Sequence, residues 1–285
     1  YGSGVSIAAS DTFKNAGVPA IGITCTNPAV TAGNTHYFRA CFIDSFQGPV
    51  LANYAYDNLK VKKAYCLSKL GDDYSGGLVS YFTKQFEKKG GQVVKAEFPE
   101  GNSDFTSYIA NAKKEGCGVF YAPISIEAAQ LVINQAASQN LGMPILAGDT
   151  WDSNVILEAA KGTDVKIDVT TFYADGTNKE FEKGIKEWIN ADSTNLKNNG
   201  GNDTLSAVSV MGYDAYMLAP EGLKAAGSTD PADVMKALPS VSYDGITGTI
   251  TFDETGDAKV KTAYVKSVDN ETGTWVGGGS VTMDE

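Results

Sequence analysis

Between residues 63 and 147 the sequence alternates between short apolar segments and longer segments with helical periodicity. The apolar segments are typical of strands and comprise residues 63–67, 92–97, 118–122 and 144–147. The longer segments comprise residues 74–89, 104–115 and 126–139. Strands that alternate with helices of this length pair in parallel and are covered on both faces. We therefore predict an α/β fold with doubly wound, parallel sheets.

Similar elements flank this region, although the alternation is looser after residue 165. We predict helices over 3–16, 46–59, 178–190, 204–226 and 230–238, strands over 18–23, 165–172, 248–253, 259–268 and 274–276, and a polar loop over 192–203. At about 150 residues per domain, a chain of 285 residues corresponds to two domains. Because no segment resembles a long linker, we expect two lobes joined by several short crossovers.

The charge of the chain restricts its binding partners. A formal net charge of -11 gives a polyanionic surface, which repels nucleic-acid backbones and anionic lipid headgroups. No apolar run approaches the roughly 18 residues of a membrane-spanning helix, and residues 1–5 lack the basic and apolar pattern of a secretion signal. We predict no nucleic-acid partner and no membrane-embedded segment.

Histidine and cysteine usage excludes several common sites. His36 is the only histidine, so a zinc site with several histidines is excluded and a Ser-His-Asp triad would need this one residue. It lies in a strand-like stretch, and we expect a structural or surface role. The four cysteines have no C-x-x-C spacing and lie in or beside apolar runs; they are Cys25, Cys41, Cys66 and Cys117. We expect four buried, reduced thiols, although one disulfide remains open.

The sequence also lacks the common catalytic and cofactor motifs. There is no G-x-x-x-x-G-K-[ST] phosphate loop, no G-x-G-x-x-G after a strand and no G-x-S-x-G elbow. We therefore expect no cofactor and no metal. The pair Asp72 and Asp73 is interpreted as a turn that caps the next helix, whereas Asp149 and Asp152 leave open an acid–base or metal role in an enzyme.

Three loops at strand ends or helix starts carry hydroxyl or acidic groups. Ser3 opens the first helix, Thr26 follows the strand over 18–23, and Asp149 follows the strand over 144–147. Open α/β sheets bind ligands at such strand ends. Each group alone is an ordinary helix cap, but together they suit a zwitterion. Helix N-termini and hydroxyls bind a carboxylate, and the facing carboxylate binds an ammonium.

In these three loops and in the segments given below, the sequence resembles the type I periplasmic binding proteins, specifically the Leu/Ile/Val-binding proteins of bacterial ABC importers. The matching segments occur in order along nearly the whole chain: SIAASD at 6–11, GVPAI at 17–21, CTNPAVT at 25–31, YFR at 37–39, QGP at 47–49, GDDYS at 71–75, DFT at 104–106, GDTWD at 148–152, YDAY at 213–216 and ITFD at 250–253. The resemblance implies two lobes with a hinge that close over the ligand.

The resemblance also assigns roles to individual residues. Ser3 and Thr26 correspond to residues that bind the ligand α-carboxylate, and Thr26 also meets the ammonium. Thr24 falls where a backbone carbonyl accepts from the ammonium. Asp149 pairs with the ammonium from the second lobe, where Tyr74 closes over the ligand. The side-chain pocket is expected near a further group of residues: Tyr1, Gly2, Ile124, Ser125, Trp151 and Tyr213.

The same resemblance implies the domain organisation. Lobe 1 is expected over 1–43 and 173–265, and lobe 2 over 44–172 and 266–285. In the family, further strands and helices of lobe 1 precede the ligand loop, whereas Tyr1 lies directly at it. We therefore expect a lobe 1 that is incomplete at its N-terminus.

These expectations define a solute-binding protein of an ABC importer, which binds an amino acid, branched-chain or otherwise apolar, and delivers it to a membrane permease. The implied location is extracytoplasmic, in the periplasm or as a lipoprotein on a Gram-positive surface. Two alternatives stay open: a ligand-sensing receptor ectodomain of the same fold, and a hydrolytic enzyme that uses Asp149 and Asp152. The residues themselves leave open whether the ligand side chain is apolar or a polar amide.

Overall fold

A computed structural model describes residues 1–259 and 261–282. The strands are β1 (Ala20–Gly22), β2 (Tyr37–Arg39), β3 (Lys63–Lys69), β4 (Gln92–Phe98), β5 (Val119–Tyr121), β6 (Ile145–Ala147), β7 (Ile167–Thr171), β8 (Tyr243–Gly245), β9 (Gly248–Ile250), β10 (Thr262–Asp269) and β11 (Thr274–Thr282). The α-helices are α1 (Ser3–Ala16), α2 (Asp44–Asn53), α3 (Asp73–Lys88), α4 (Thr106–Lys114), α5 (Ile126–Ser138), α6 (Asn154–Ala160), α7 (Lys179–Asn190), α8 (Ser193–Asn198), α9 (Ala207–Ala226) and α10 (Pro231–Ala237).

The largest sheet has seven strands in the order β11-β10-β7-β6-β5-β3-β4. Strands β3 to β7 pair in parallel, as their alternation with helices predicts. Alternate residues of β3 face opposite cores: Ala64 and Cys66 lie in one apolar cluster, and Tyr65 and Leu67 in the other. Burial of both faces explains why these strands are continuously apolar. The predicted α/β class is confirmed.

The sheet is mixed at one edge, formed by the C-terminal tail, which lies outside the alternating segments that predict parallel pairing. Strand β10 pairs antiparallel with both β7 and β11. Strand β11 also extends well beyond the predicted 274–276. The register shifts between Val265, which pairs with Gly279, and Lys266, which pairs with Gly277, so Gly278 is the extra residue, with a φ of 120°. Pairing with β10 therefore continues through a glycine run that would by itself indicate a strand end.

A separate structural unit contains the N-terminal segment and most of the chain after β7. Strands β1 and β2 form a parallel pair, and β8 and β9 an antiparallel hairpin. Helix α9 packs against α10, and its apolar residues join Phe38, Phe42 and Phe172 in one core. We refer to this unit as lobe 1 and to the unit around the seven-stranded sheet as lobe 2.

One predicted loop is wrong. Residues 193–198, inside the expected loop 192–203, form α8, with the Asp192 side chain accepting from the backbone amide of Thr194. This helix has no buried residues, so its sequence lacks the apolar periodicity that indicates a helix. Val260, within the strand predicted over 259–268, and residues 283–285, within the predicted second segment of lobe 2, lie outside the described residues.

The remaining expectations concern single residues and membrane segments. All four cysteines are buried and free, as predicted. His36 is half-buried immediately before β2 and contacts the Thr35 hydroxyl at 3.2 Å. Within the described residues, none of the helices has the length and apolar character needed to cross a membrane.

Candidate functional site

The loop after β1 is held in place by Arg39, the only arginine in the sequence. Its fully buried guanidinium donates from Nη1 to the carbonyl oxygens of Cys25, at 2.8 Å, and Asn27, at 2.9 Å. Its Nε pairs with Asp257 Oδ1 at 2.6 Å. Because the carbonyl and the N–H of a trans peptide point in opposite directions, the Thr26 N–H faces away from Arg39.

Two threonine hydroxyls of this loop are buried and unpaired. Thr24 is 4% exposed and Thr26 is fully buried, and neither Oγ1 has a hydrogen-bond partner in the part of the chain that the structure describes. Buried hydroxyls are normally hydrogen-bonded, since leaving one unpaired costs about 1–3 kcal/mol. An unpaired hydroxyl beside a free-facing N–H is suited to an anionic ligand group.

Ser3, at the start of α1, supports this loop. Its Oγ accepts a hydrogen bond from the backbone amide of Asn27 at 3.1 Å. The hydroxyl proton of Ser3 is therefore still available for donation, because the amide occupies only an acceptor site of the oxygen. Helix α1 thus places a second hydroxyl donor beside the Thr26 loop.

Lobe 2 contributes Asp149, which follows β6 and begins a short 3-10 turn (Asp149–Trp151). Its carboxylate is 1% exposed. Oδ1 accepts hydrogen bonds from the Tyr74 hydroxyl and from Gln47 Nε2, both at 2.8 Å. Oδ2 has no partner among residues 1–259 and 261–282. The arrangement leaves one fixed carboxylate oxygen for a cationic group.

The buried position also changes the proton affinity of Asp149. Burial raises the pKa of its carboxyl to about 7, although the hydrogen bond from Tyr74 acts in the opposite direction. Burial and the Asp149 charge together raise the pKa of Tyr74 well above its ordinary value, so Tyr74 remains a donor. A ligand ammonium beside Oδ2 would favour the ionised carboxylate.

Gln47 and Asp44 also lie at the site, although no sequence motif indicates them. Gln47 is fully buried, and its Oε1 accepts from the Asp149 amide at 3.1 Å and from Thr170 Oγ1 at 2.8 Å. Asp44 is also fully buried, its amide donates to the Thr26 carbonyl at 2.8 Å, and its Oδ2 is unpaired within the described chain. Both residues lie in the first turns of α2.

Burial raises the pKa of Asp44 well above its ordinary value. The Thr26 hydroxyl lies near enough to oppose this rise, although the two groups do not meet hydrogen-bond geometry. Arg39, Asp44 and Gln47 are polar residues in an otherwise apolar stretch. Because such residues are rarely buried without a partner, this pattern could have indicated buried polar contacts.

The predicted pocket residues have different positions. Ile124 and Trp151 are fully buried in lobe 2, where Trp151 Nε1 donates to the Ile124 carbonyl at 2.9 Å. Ser125 is exposed at the start of α5, and Gly2 precedes α1 with a φ of 83°. Tyr1 is 63% exposed over the whole residue. Partial desolvation of its phenol, followed by the nearby charge of Asp149, raises the pKa of that group.

Two predicted candidates are engaged elsewhere. Tyr213 packs against Phe181, with ring centroids 5.0 Å apart, and is 40% exposed; no hydrogen bond among the described residues links it to Asp149. Asp152 forms a buried ion pair with Lys266 at 3.1 Å and accepts a hydrogen bond from the Thr171 hydroxyl. The pairing with Lys266 compensates the charge of Asp152 within the fold, and its Oδ1 has no partner in the described part of the chain.

Comparison with known proteins agrees with this geometry. The family model described as periplasmic binding protein matches residues 1–274. The Leu/Ile/Val-binding protein homolog 1 of Brucella suis is 30% identical over 263 residues, which cover 91% of this chain and 68% of that protein.

Solved structures give the same result. A leucine-binding protein from Thermotoga maritima superposes with a TM-score of 0.83 at 29% identity, covering 98% of this chain and 77% of the other. A branched-chain amino acid transporter substrate-binding protein from Streptococcus pneumoniae, in complex with isoleucine, has a TM-score of 0.83 at 24% identity, covering 99% and 78%. The chain belongs to the periplasmic binding protein family, in its type I group with the Leu/Ile/Val-binding proteins.

Proposed function

We propose that this protein is the solute-binding component of an ABC importer and binds an L-amino acid between its lobes. The ligand carboxylate would meet Ser3 and the N–H and hydroxyl of Thr26, and the ammonium would meet Asp149 Oδ2. The Thr24 carbonyl would complete the ammonium site. The protein would then deliver the amino acid to a membrane permease, and no reaction would be catalysed.

One observation carries this proposal: two sets of buried polar atoms without partners face the boundary between the proposed lobes. One set can donate hydrogen bonds, and the other can only accept them while it is ionised. Hydroxyl groups without partners belong to the loop of Thr24 and Thr26, and a carboxylate oxygen without a partner belongs to Asp149. Such atoms are rare in folded proteins unless a ligand or water satisfies them. A zwitterion satisfies both sets at once with complementary charges, whereas a simple carboxylate brings no cation to Asp149 and a neutral sugar brings no charge to either set.

The proposed lobe boundaries are 1–43 and 173–265 for lobe 1, and 44–172 and 266–285 for lobe 2. The first crossing then falls between β2 and α2, and the second directly after β7. The third falls within β10, which begins at Thr262 and pairs with β7. A ligand that contacts both lobes favours the closed arrangement of such a hinge.

Family membership supports proposals for the ligand side chain and for the cellular location of the protein. Membership in the Leu/Ile/Val group supports a branched-chain or other apolar side chain. Ile124 and Trp151, which are buried in the core of lobe 2, would support an apolar pocket from behind. The importer role requires an extracytoplasmic location, in the periplasm or as a surface lipoprotein of a Gram-positive bacterium.

A thermal-shift screen tests the ligand class. The panel comprises the twenty L-amino acids, glucose, ribose, AMP and benzoate. We expect stabilisation by leucine, isoleucine or valine, because a ligand at tenfold its Kd adds about 1.4 kcal/mol to the free energy of unfolding. A shift with sugars or benzoate and none with any amino acid would contradict the proposal.

A further inference from the structure

Asn27, which directly follows Thr26, forms hydrogen bonds in three directions. Its backbone amide donates to Ser3 Oγ at 3.1 Å, and its Oδ1 accepts from the Ala29 amide at 2.8 Å. Its Nδ2 donates to the carbonyl oxygen of Asp73 at 2.7 Å. The first two bonds stay within lobe 1, whereas the third reaches the first residue of α3 in lobe 2.

Helix α3 has a glycine where it faces this side chain. A Cβ atom at Gly77 would lie 2.8 Å from Asn27 Nδ2 and 3.9 Å from Asp44 Oδ2. The preceding Gly76 has nothing within 4 Å of such a Cβ. Neither glycine has the positive φ that would itself demand glycine, so the requirement at residue 77 is clearance for the Asn27 amide.

We propose that Asn27 and Gly77 form a clasp that holds the lobes closed: the Asn27 amide fits over Gly77 and binds the Asp73 carbonyl. The inference rests on the proposed function, since it assigns the two residues to lobes that close over an amino acid. Asn27 acts as a positioning residue and does not touch the ligand. Its neighbours in sequence and space, Thr26 and Ser3, bind the carboxylate, so the same loop recognises the ligand and engages lobe 2.

The position of α3 gives this contact its effect on binding. Asp73 is followed by Tyr74, whose hydroxyl binds Asp149 Oδ1. The clasp therefore holds the start of α3, and with it the Tyr74–Asp149 pair, against the loop that contains Thr26. A ligand bound between the two would be released when this contact opens.

A comparison of two adjacent alanine variants tests the clasp. In Gly77→Ala the new methyl group displaces the Asn27 amide from the Asp73 carbonyl, whereas Gly76→Ala meets no neighbour. Both exchanges favour the helix, since alanine has the higher helix propensity. Gly76→Ala therefore does not lower the melting temperature of the ligand-free protein, and in Gly77→Ala the gain of about 1 kcal/mol offsets the lost hydrogen bond. We expect Gly77→Ala to weaken L-leucine binding about three- to tenfold, mainly through faster dissociation, and Gly76→Ala to bind as the wild type does.

The double variant separates a clasp from a general disturbance of α3. Asn27→Ala removes the amide, so Gly77→Ala should cost nothing further in that background, and the two effects on L-leucine affinity should be non-additive. Equal affinities of Gly77→Ala and Gly76→Ala would overturn the inference. Fully additive effects of the two single changes would also overturn it.

A cross-linking arm that needs no ligand distinguishes failure of the clasp from failure of the proposed function. The pairs Asn27→Cys/Gly77→Cys and Asn27→Cys/Gly76→Cys are treated with oxidised glutathione, and the intramolecular disulfide is located by peptide mass spectrometry. We expect a cross-link between positions 27 and 77 and none between 27 and 76. A cross-link at 27–77 in a protein that binds no L-leucine would support the clasp and contradict the proposed ligand. No cross-link at 27–77 would overturn the clasp.

Discussion

Gln47 is hydrogen-bonded to Asp149 twice, once at the carboxylate and once at the backbone. Its Nε2 donates to Oδ1 at 2.8 Å, and its Oε1 accepts from the Asp149 amide at 3.1 Å. Both side chains are buried. The amide of Gln47 therefore fixes the position of the carboxylate and directs its unpaired oxygen, Oδ2.

Replacement of Gln47 should weaken ligand binding. Gln47→Glu removes the Nε2 donor and introduces a second acidic group beside Asp149, so we expect L-leucine affinity to fall about tenfold or more. Calorimetric titration of this variant and of Gln130→Ala, a change at an exposed glutamine of α5, provides the comparison. Unchanged affinity in Gln47→Glu would show that Gln47 does not position Asp149.

Ligand affinity should rise with pH. Burial raises the pKa of Asp149 to about 7 in the ligand-free protein, and only the ionised form pairs with an ammonium. Below pH 7 we expect L-leucine affinity to fall by about tenfold per pH unit, because a proton must first be released. Calorimetry between pH 5.5 and 8.5 measures this slope. An affinity that is constant across this range would contradict the assignment of Asp149 to the ammonium.

The stability of the ligand-free protein should respond to pH in the opposite direction. An unfolded aspartate has a pKa of about 3.9, so between pH 4 and 7 the folded protein retains a proton that the unfolded chain releases. The contribution of Asp149 to the free energy of unfolding therefore decreases as the pH rises, by about 1.4 kcal/mol per pH unit. Urea unfolding of the wild type and Asp149→Asn at pH 5 and 7 isolates this contribution, and identical slopes would refute it.

Arg39 should be necessary for the stability of the fold. Arg39→Lys retains the charge but cannot span the carbonyl oxygens of Cys25 and Asn27 together with Asp257. We expect the free energy of unfolding to fall by about 3 kcal/mol, since bonds to charged groups are lost. Lys224→Ala, which breaks an exposed pair with Glu221, should cost under about 1 kcal/mol. A similar small cost for Arg39→Lys in urea unfolding would contradict the role of Arg39.

The sequence predicted the central α/β elements because their periodicity is local. Strand β3 and helices α3 and α5 follow directly from apolar spacing and from the breaks between segments. Helix α8 was missed because it buries nothing. Strand β8 was missed because its position depends on distant contacts: the Asp214 carboxylate accepts from the amides of Ile246 and Thr247, 32 and 33 positions away.

The candidate site was predictable only where the residue type itself indicated chemistry at a strand end, as at Thr26 and Asp149. Gln47 lies 102 positions from Asp149, and no spacing rule connects residues that far apart. Its side chain becomes relevant only once the fold brings α2 to the turn that begins at Asp149. The same reasoning applies to Arg39, whose partner Asp257 lies 218 positions away.

The central claim is that Asp149 pairs with the ammonium of an amino acid. Calorimetric titration of the wild type and Asp149→Asn with L-leucine and with 4-methylpentanoate, which lacks the ammonium, tests it most directly. We predict that the wild type prefers leucine by about 10- to 100-fold and that Asp149→Asn loses most of this preference while its affinity for 4-methylpentanoate does not fall. An undiminished preference for leucine in Asp149→Asn would contradict the account.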